Sequence, residues 1–217
     1  MTIAKHILIT GVVLGLFAIG GTAIVAYTFE QTKARIAQNE RDALLRKLHA
    51  LSPPALHDND PLQDTLVIQD KGLSSKPVTV YRARKSGLPV AAAFTPVVAP
   101  DGYSGPIKLL VVIRYDGVLA GVRVIAHRET PGLGDPIDET RSDWILGFAG
   151  RSLGNPPAPQ WKVKKDGGIF DQFTGATITP RAVVKAVQNC LHYFAAHREA
   201  IFRPRPTTEQ IQKDAHG

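Results

Sequence analysis

The hydrophobic and polar positions divide the chain into an apolar N-terminal run and a longer stretch of mixed polarity. Residues 7–29 contain no charged side chain. A helix of that length spans about 34 Å at about 1.5 Å per residue, which is enough for a hydrocarbon core of about 30 Å. The run is longer than the apolar core of a typical cleaved signal peptide, and no Ala-x-Ala site follows it. The pattern therefore predicts a retained membrane anchor over residues 1–29.

After the anchor, charged positions alternate with apolar ones up to Leu51, which predicts a helix that rises from the membrane. Ser52-Pro53-Pro54 should stop that helix, because proline lacks a backbone donor and disfavours a helical residue before it. We expect residues 30–61 to be a juxtamembrane helix and linker, and residues 62–202 to form one folded domain. Residues 203–217 are polar and interrupted by prolines, which predicts a disordered tail.

Short runs of β-forming residues dominate the folded domain. Three of them lie at residues 64–68, 78–84 and 90–98. The clearest strand pair joins the almost continuously apolar run 107–113 to the run 118–126 through Asp116-Gly117, a strong hairpin signal. With the helices, these runs predict an α+β fold: an antiparallel or mixed sheet with packed helices, preceded by one N-terminal transmembrane helix.

Shorter elements are predicted between the hairpin and the C-terminus. Thr140 and Asp143 have the spacing of a capping box at the start of a short helix. Residues 161–163 are expected to form a short strand, and Asp166-Gly167-Gly168 a turn.

A C-terminal helix is predicted from about Pro180 to His197, with Thr179 as its N-cap and Pro180 at its first position. Its apolar positions recur at helical spacing: Val183, Val184, Val187, Leu191 and Phe194. The Thr177 hydroxyl therefore lies just before a helix N-terminus, where free backbone N–H groups and the positive end of the helix dipole suit a phosphate.

The overall charge narrows the classes of partner. The formal net charge is +7 with a pI near 9.6, which suits anionic lipid head groups or an acidic protein. We expect no nucleic acid partner, because the basic residues are dispersed, aromatic residues make up only 7%, and no recognition motif is present.

The single cysteine narrows the candidate chemistry. With Cys190 as its one cysteine, the chain can form neither an intramolecular disulfide nor a cysteine-ligated iron–sulfur cluster. The place of Cys190 in the C-terminal helix predicts that its thiol is buried and acts as a small apolar side chain. The histidines lack metal-ligand spacing, so no metal site is expected. Nicotinamide-dinucleotide and P-loop fingerprints are absent as well, so the chain should not take hydride from NADH itself.

Two motifs carry a family resemblance. Residues 171–177 read D-x-x-T-G-A-T and resemble the site at which a flavin transferase attaches FMN, through a phosphodiester bond, to the last threonine. Residues 127–134, H-R-E-T-P-G-L-G, resemble a second loop of the same family. With the anchor and the stretches 142–144 and 164–168, the chain resembles the G subunits of the Rnf (also called Rsx) ion-translocating electron-transport complex. The resemblance is dense from about residue 110 to residue 187.

The resemblance implies one covalently attached FMN on Thr177 and a role as an electron relay among the other Rnf subunits. That complex couples electron flow between NADH and ferredoxin to ion movement. A threonine hydroxyl without an adjacent base is a poor nucleophile, so an external, metal-dependent flavin transferase is the expected agent of attachment. Asp171 is either recognised by that enzyme or holds the turn. The other cofactor-binding residues in this motif are Thr174, Gly175 and Ala176.

The second motif is expected to tune the flavin. Glu129 and Thr130 are candidates to bond polar atoms of the ring or the ribityl chain, and Leu133 to pack on the isoalloxazine face. Gly134, together with Gly132, permits a tight backbone path close to a planar ring.

The orientation of the domain is predicted in two opposite ways. The family resemblance implies a single-pass protein of the bacterial inner membrane, with the FMN-binding domain on the periplasmic side. Only Lys5 precedes the apolar run, however, whereas several basic residues follow it, and the positive-inside rule would place the domain in the cytoplasm. We follow the family, because large domains translocate largely regardless of flanking charge.

Two other functions fit parts of the sequence. The C subunit of the sodium-pumping NADH:quinone oxidoreductase has the same anchor and flavin motif. A non-redox, membrane-tethered assembly or binding module would use the T-G-A-T segment only to begin a helix.

Overall fold

The computed structural model describes residues 3–203, so most of the predicted polar tail lies outside the described residues. The chain divides into two compact units, Met1–Arg46 and Lys47–Gly217. Helix α1, Ile3–Leu51, runs through the first unit, and its last turn belongs to the second. Among residues 3–203, α1 alone is long and apolar enough to cross a membrane. The predicted anchor and juxtamembrane helix are thus one uninterrupted helix, which ends before the Ser52-Pro53-Pro54 stop.

The second unit is built on a five-stranded antiparallel sheet whose strands follow one another in chain order. This confirms the α+β prediction and selects the antiparallel form of the sheet. The strands are β1 (Thr65–Ile68), β2 (Val78–Lys85), β3 (Leu88–Ala99), β4 (Ile107–Arg114) and β5 (Leu119–Ala126).

The β4–β5 hairpin turns at Asp116-Gly117, as predicted. Gly117 has a φ of 86°, and the Asp116 carboxylate accepts the Val118 N–H at 3.0 Å. β4 is buried on both faces, because residues 109–113 are all fully enclosed. The last turn of α1 packs on one of those faces: a Cβ at Gly121 of β5 would lie 2.6 Å from Leu51 Cδ2.

The other face of the sheet is covered by α2, Ile178–Ile201, the predicted C-terminal helix. Its buried side chains recur at helical spacing, and Phe194 meets Phe94 of β3 edge to face, with ring centroids 6.3 Å apart. Cys190 is fully buried, as predicted, and burial raises the pKa of its thiol.

The start of α2 differs from the prediction. The helix begins at Ile178, so Thr179 lies inside the first turn and does not act as its N-cap; Thr177 holds that position. The reason is a tertiary partner: the buried Thr179 hydroxyl donates to the carboxylate of Glu129, 50 residues earlier. Local capping preference therefore yields to a buried hydrogen bond.

Two smaller predictions were also wrong. The short helix at residues 143–148 is a 3₁₀ helix capped by Ser142, whose hydroxyl accepts the Trp144 N–H at 3.2 Å. Thr140 instead bonds Asp138 through its amide and its hydroxyl, so it is not free to cap. Residues 161–163 form no strand; only a single parallel bridge joins Val163 to Phe170.

The C-terminal end of α2 is held by two arginines of β2. Arg82, which is almost fully buried, donates to the carbonyl oxygens of Ile201 and Arg203 at 3.0 Å each and pairs with Asp64. Arg84 binds the same carboxylate at 2.8 Å and the Phe202 carbonyl at 2.9 Å. These bonds satisfy carbonyls that a helix end leaves without intrahelical partners.

This cap leads to a stability prediction. Replacing Arg82 with Met should lower the free energy of unfolding by about 3 kcal/mol, because a partly buried carboxylate and two carbonyls lose their charged partner. Urea-induced unfolding of the purified protein, followed by tryptophan fluorescence, measures the change. The matched control is Arg114→Met, which breaks the exposed Arg114–Asp116 pair and should cost about 0–1 kcal/mol. Equal effects of the two substitutions would contradict the assigned role of Arg82.

Candidate functional site

The two motifs of the sequence meet in space. Residues 171–177, the acceptor loop, and residues 127–134, the glycine loop, contribute side by side to a cleft of about 90 Å³, which we call the shared cleft. Residues more than 40 positions apart in the chain therefore form one site. The cleft is lined by Tyr103, Glu129, Thr130, Leu133, Gly134, Gly175 and Ala176.

The acceptor loop ends in a turn that delivers Thr177 to the start of α2. Gly175 has a φ of 78°, which glycine adopts without strain, and the Ala176 N–H donates to the Phe173 carbonyl at 3.1 Å. Thr177 is half-buried, and its side chain caps no backbone amide of the helix. Its hydroxyl is therefore held beside the helix N-terminus without being engaged in capping.

The beginning of the acceptor loop is fixed by neighbouring side chains. The Trp144 indole N–H donates to the Asp171 carbonyl at 2.8 Å, and the Trp144 ring meets Phe173 edge to face at 5.3 Å. The Lys164 ammonium lies 2.5 Å from the exposed Asp171 carboxylate. Asp171 thus holds the loop through its backbone and its side chain, while the carboxylate remains accessible to a second protein.

A second ion pair connects the turn at residues 166–168, which precedes the acceptor loop, to the first turn of α2. The Arg181 guanidinium binds both oxygens of Asp166, at 2.5 and 2.6 Å. Those hydrogen bonds hold the pKa of Asp166 below its ordinary value and raise the pKa of Arg181. The turn that carries Asp166 requires Gly168, since a Cβ there would lie 1.9 Å from the Lys162 carbonyl oxygen.

The glycine loop forms a compact turn beside the acceptor loop. The Thr130 carbonyl accepts the N–H groups of Leu133 and Gly134, both at 3.1 Å, and Gly132 has a φ of 79°. The Gly132 N–H donates to the Asp135 carboxylate at 2.6 Å. Leu133 is left 45% exposed, and its Cδ2 would lie 3.8 Å from a Cβ at Gly175. Its side chain therefore stands at the rim of the shared cleft next to the acceptor loop.

Glu129 links three segments of the site. The residue is only 4% exposed, and its Oε1 accepts the Ser104 N–H at 3.0 Å while its Oε2 accepts the Thr179 hydroxyl at 2.5 Å. The carboxylate thereby joins the β3–β4 loop and the first turn of α2 to the glycine loop. Direct bonding of Glu129 to a flavin stays a prediction, and the structure adds this linking role.

Gly134 is required by the position of Glu129. A Cβ at residue 134 would lie 2.5 Å from Glu129 Oε2 and 2.9 Å from Thr179 Oγ1. Its φ is an ordinary −98°, so the requirement comes from close packing and not from backbone conformation. The sequence predicted a tight path at Gly134, and the structure shows that the neighbour in that path is the Glu129–Thr179 hydrogen bond.

Two parts of the site were missed at the level of sequence. Thr179 was assigned to local helix capping, and no local pattern reveals a partner 50 residues away. The β3–β4 loop, with Gly102, Tyr103 and Ser104, lies outside both motifs. A Cβ at Gly102 would lie 3.0 Å from Glu129 Oε1, so this loop also fits closely around the carboxylate.

The residues present fit a flavin phosphate ester at this site. Thr177 offers an unengaged hydroxyl beside a helix N-terminus, which is favourable for a phosphate. The exposed Leu133 side chain offers an apolar contact for the ring.

Comparisons with known proteins agree with this geometry. Residues 102–192 match the family described as FMN-binding domain, and residues 1–51 match the family described as RnfG N-terminal region. Fold and site thus define an FMN-binding protein with one candidate membrane-spanning helix. The matched FMN-binding region begins at the β3–β4 loop and includes both motifs.

Relatives that align over almost the whole chain identify the family. The G subunit of the ion-translocating oxidoreductase complex of Pseudomonas aeruginosa is 49% identical over 203 residues, which cover 92% of this chain and 94% of its own. The proteins of the same name from Shewanella baltica and Vibrio cholerae are 50% and 47% identical, over 88% and 92% of this chain and 91% and 96% of their own. The chain therefore belongs to the family of G subunits of ion-translocating oxidoreductase complexes.

The linking role of Glu129 can be measured by a double-mutant cycle. Glu129→Met and Thr179→Val should each lower the free energy of unfolding by about 1–3 kcal/mol, because each leaves a buried polar group without its partner. The double variant should lose less than the sum, with a coupling energy of about 0.5–3 kcal/mol. Urea-induced unfolding of the four proteins supplies the energies.

The control for this cycle is Thr174→Val. Thr174 is exposed in the acceptor loop, so the change should stay within about 0.5 kcal/mol of the parent protein. Additive effects of Glu129→Met and Thr179→Val would show that the hydrogen bond does not stabilise the site.

Proposed function

We propose that the chain is an electron-relay subunit of a membrane-bound, ion-translocating oxidoreductase complex and that it carries one FMN bound covalently to Thr177. The observation that carries the proposal is the position of Thr177: at the end of the acceptor motif, at the N-cap of α2, and directly after Ala176, which lines the shared cleft. When bound, FMN supplies the electron chemistry, and the protein supplies position and tuning.

Attachment requires a second protein. In the proposed reaction the Thr177 oxygen forms a bond to the phosphorus of the FMN phosphate, the bond from that phosphorus to the donor's leaving group breaks, and a base takes the hydroxyl proton. Among the described residues, no charged side chain is hydrogen-bonded to Thr177 as a base would be, and no group of three His, Cys, Asp or Glu residues is placed to hold a metal ion. A metal-dependent flavin transferase is therefore the proposed agent.

The accessible side of the acceptor loop suits such an encounter. Thr174, Gly175 and Asp171 are exposed, while the backbone behind them is fixed by Trp144. A loop held in one conformation costs less entropy on binding than a mobile one. We propose that Asp171, Thr174, Gly175 and Ala176 form the surface that the transferase recognises.

The redox partners follow from the same arrangement. A flavin held on the exposed acceptor loop can exchange electrons with groups on neighbouring subunits. We propose that these are the other subunits of an Rnf-type complex, which links NADH and ferredoxin to ion movement. The N-terminal helix supplies the contact with membrane lipids.

Two alternative functions can be distinguished from the proposed one. The match of residues 1–51 to the RnfG N-terminal region favours a G-type subunit over the C-type subunit of a sodium-pumping NADH:quinone oxidoreductase. A non-redox assembly module would carry no flavin adduct.

We further propose that the second unit lies on the periplasmic side of the inner membrane. The proposal rests on the family, and the basic residues that follow the apolar run oppose it.

The attachment site is tested by replacing Thr177 with Ala in the full chain, co-expressed with a flavin transferase. Intact-protein mass spectrometry should show the parent protein heavier by one FMN less one water, and the variant without that increase. Thr177→Ser should retain part of the labelling, because it keeps the hydroxyl. Ser75→Ala, which removes an exposed hydroxyl outside both motifs, is the matched control and should remain labelled.

Retention of the adduct by Thr177→Ala would refute the assignment to Thr177. An unlabelled parent protein in the presence of an active transferase would support the non-redox alternative.

The orientation is tested with paired reporters fused to the C-terminus of the full chain. Alkaline phosphatase, which becomes active only in the periplasm, should be active, and a fluorescent protein that matures only in the cytoplasm should be dark. The reverse pattern would show that the charge rule, and not the family, gives the correct side.

A further inference from the structure

We propose that Tyr103 is a flavin-binding residue whose ring packs against the isoalloxazine of the FMN on Thr177. The inference rests on the proposed function and adds a third segment, the β3–β4 loop, to a site that the two motifs define only in part. The occupant is the ring system of the flavin, and the phosphate end remains with Thr177.

The first observation is the place of the tyrosine. Tyr103 lines the shared cleft together with Leu133 and Gly175, although it belongs to neither motif. It is the one aromatic residue among those that line this cleft, and it is 68% exposed. Single exposed aromatic side chains are ordinary on protein surfaces, so exposure alone would mean little.

The second observation is that the backbone carrying Tyr103 is fixed. The N–H of the next residue, Ser104, donates to the buried Glu129 carboxylate at 3.0 Å. On the other side, a Cβ at Gly102 would lie 2.2 Å from the Gly105 carbonyl oxygen and 3.0 Å from Glu129 Oε1. The loop is therefore closely packed on both sides of an exposed ring, so the backbone that carries the ring is held in place.

The third observation connects Tyr103 to Thr177. The same Glu129 carboxylate that accepts the Ser104 N–H also accepts the hydroxyl of Thr179, two residues after Thr177. One buried side chain thus fixes the tyrosine and the attachment point relative to each other. A group attached to Thr177 meets a ring whose backbone is already positioned.

The side chains that line the shared cleft determine the kind of contact. An isoalloxazine on Thr177 would meet two large, exposed side chains there, Leu133 and Tyr103. Leu133, 45% exposed, supplies an aliphatic contact, and Tyr103 supplies an aromatic one. Aromatic rings in contact prefer offset or edge-to-face arrangements, which a side chain standing at the rim can adopt.

The experiment uses the full chain co-expressed with a flavin transferase, in four forms: the parent protein, Tyr103→Phe, Tyr103→Ala and the control Leu88→Ala. Leu88 is 70% exposed, similar to Tyr103, but lies at the start of β3 and outside the shared cleft. Each protein is measured for the mass adduct, the flavin absorption spectrum and the flavin fluorescence lifetime.

The expected results distinguish the packing of the Tyr103 ring from electron donation by its phenol group. All four proteins should carry the adduct. Tyr103→Ala should shift the absorption bands and lengthen the lifetime several-fold, because a phenol in contact with an excited flavin quenches it by donating an electron that then returns. Tyr103→Phe should keep the absorption of the parent, since the ring remains, but lengthen the lifetime, since a benzene ring does not donate that electron. Leu88→Ala should match the parent in every measurement.

The outcomes distinguish this inference from the proposed function. Labelled variants at Tyr103 with the parent's lifetime would overturn the contact and leave the function intact. An unlabelled parent protein would overturn the proposed function, and this inference with it. Should Tyr103→Ala fail to fold or to become labelled, Tyr103→Phe decides through its lifetime: lengthening supports the contact and no change refutes it.

Discussion

The arrangement of the site depends on one buried carboxylate. Glu129 is shielded from water, and each of its oxygens accepts a hydrogen bond from a different segment: Ser104 in the β3–β4 loop and Thr179 in the first turn of α2. A buried carboxylate without such partners is costly, so the sequence must supply both donors and place them correctly. The tight packing at Gly134 and Gly102 follows from the same requirement, because any Cβ there would meet the carboxylate.

Helix α2 is held at both ends by charged side chains that lie far away in sequence. Glu129 bonds its first turn, and Arg82 binds the carbonyl of its last residue, Ile201, while pairing with Asp64. Between these ends, apolar side chains pack on the sheet and fix the rotation of the helix. The position of Thr177 is therefore set by contacts that extend along the whole helix and not only by the acceptor loop.

Local patterns predicted most of the architecture. Alternating or continuous apolar runs gave all five strands, and Asp116-Gly117 gave the hairpin turn, since those signals depend only on neighbouring residues. Thr179 was misassigned because capping preference is local, whereas its partner Glu129 is brought close only by the fold. The fold brings residues of the two motifs into one cleft, and Tyr103 went unnoticed because it joins that cleft only in space.

The buried Cys190 can serve as a built-in probe of local unfolding around α2. Its thiol lies fully enclosed between α2 and the sheet, and the raised pKa disfavours the reactive thiolate further. An electrophilic thiol reagent can therefore modify this residue only when the helix separates from the sheet. Because the chain holds no other cysteine, the rate of modification reports the opening of α2, the helix that carries Thr177 at its start.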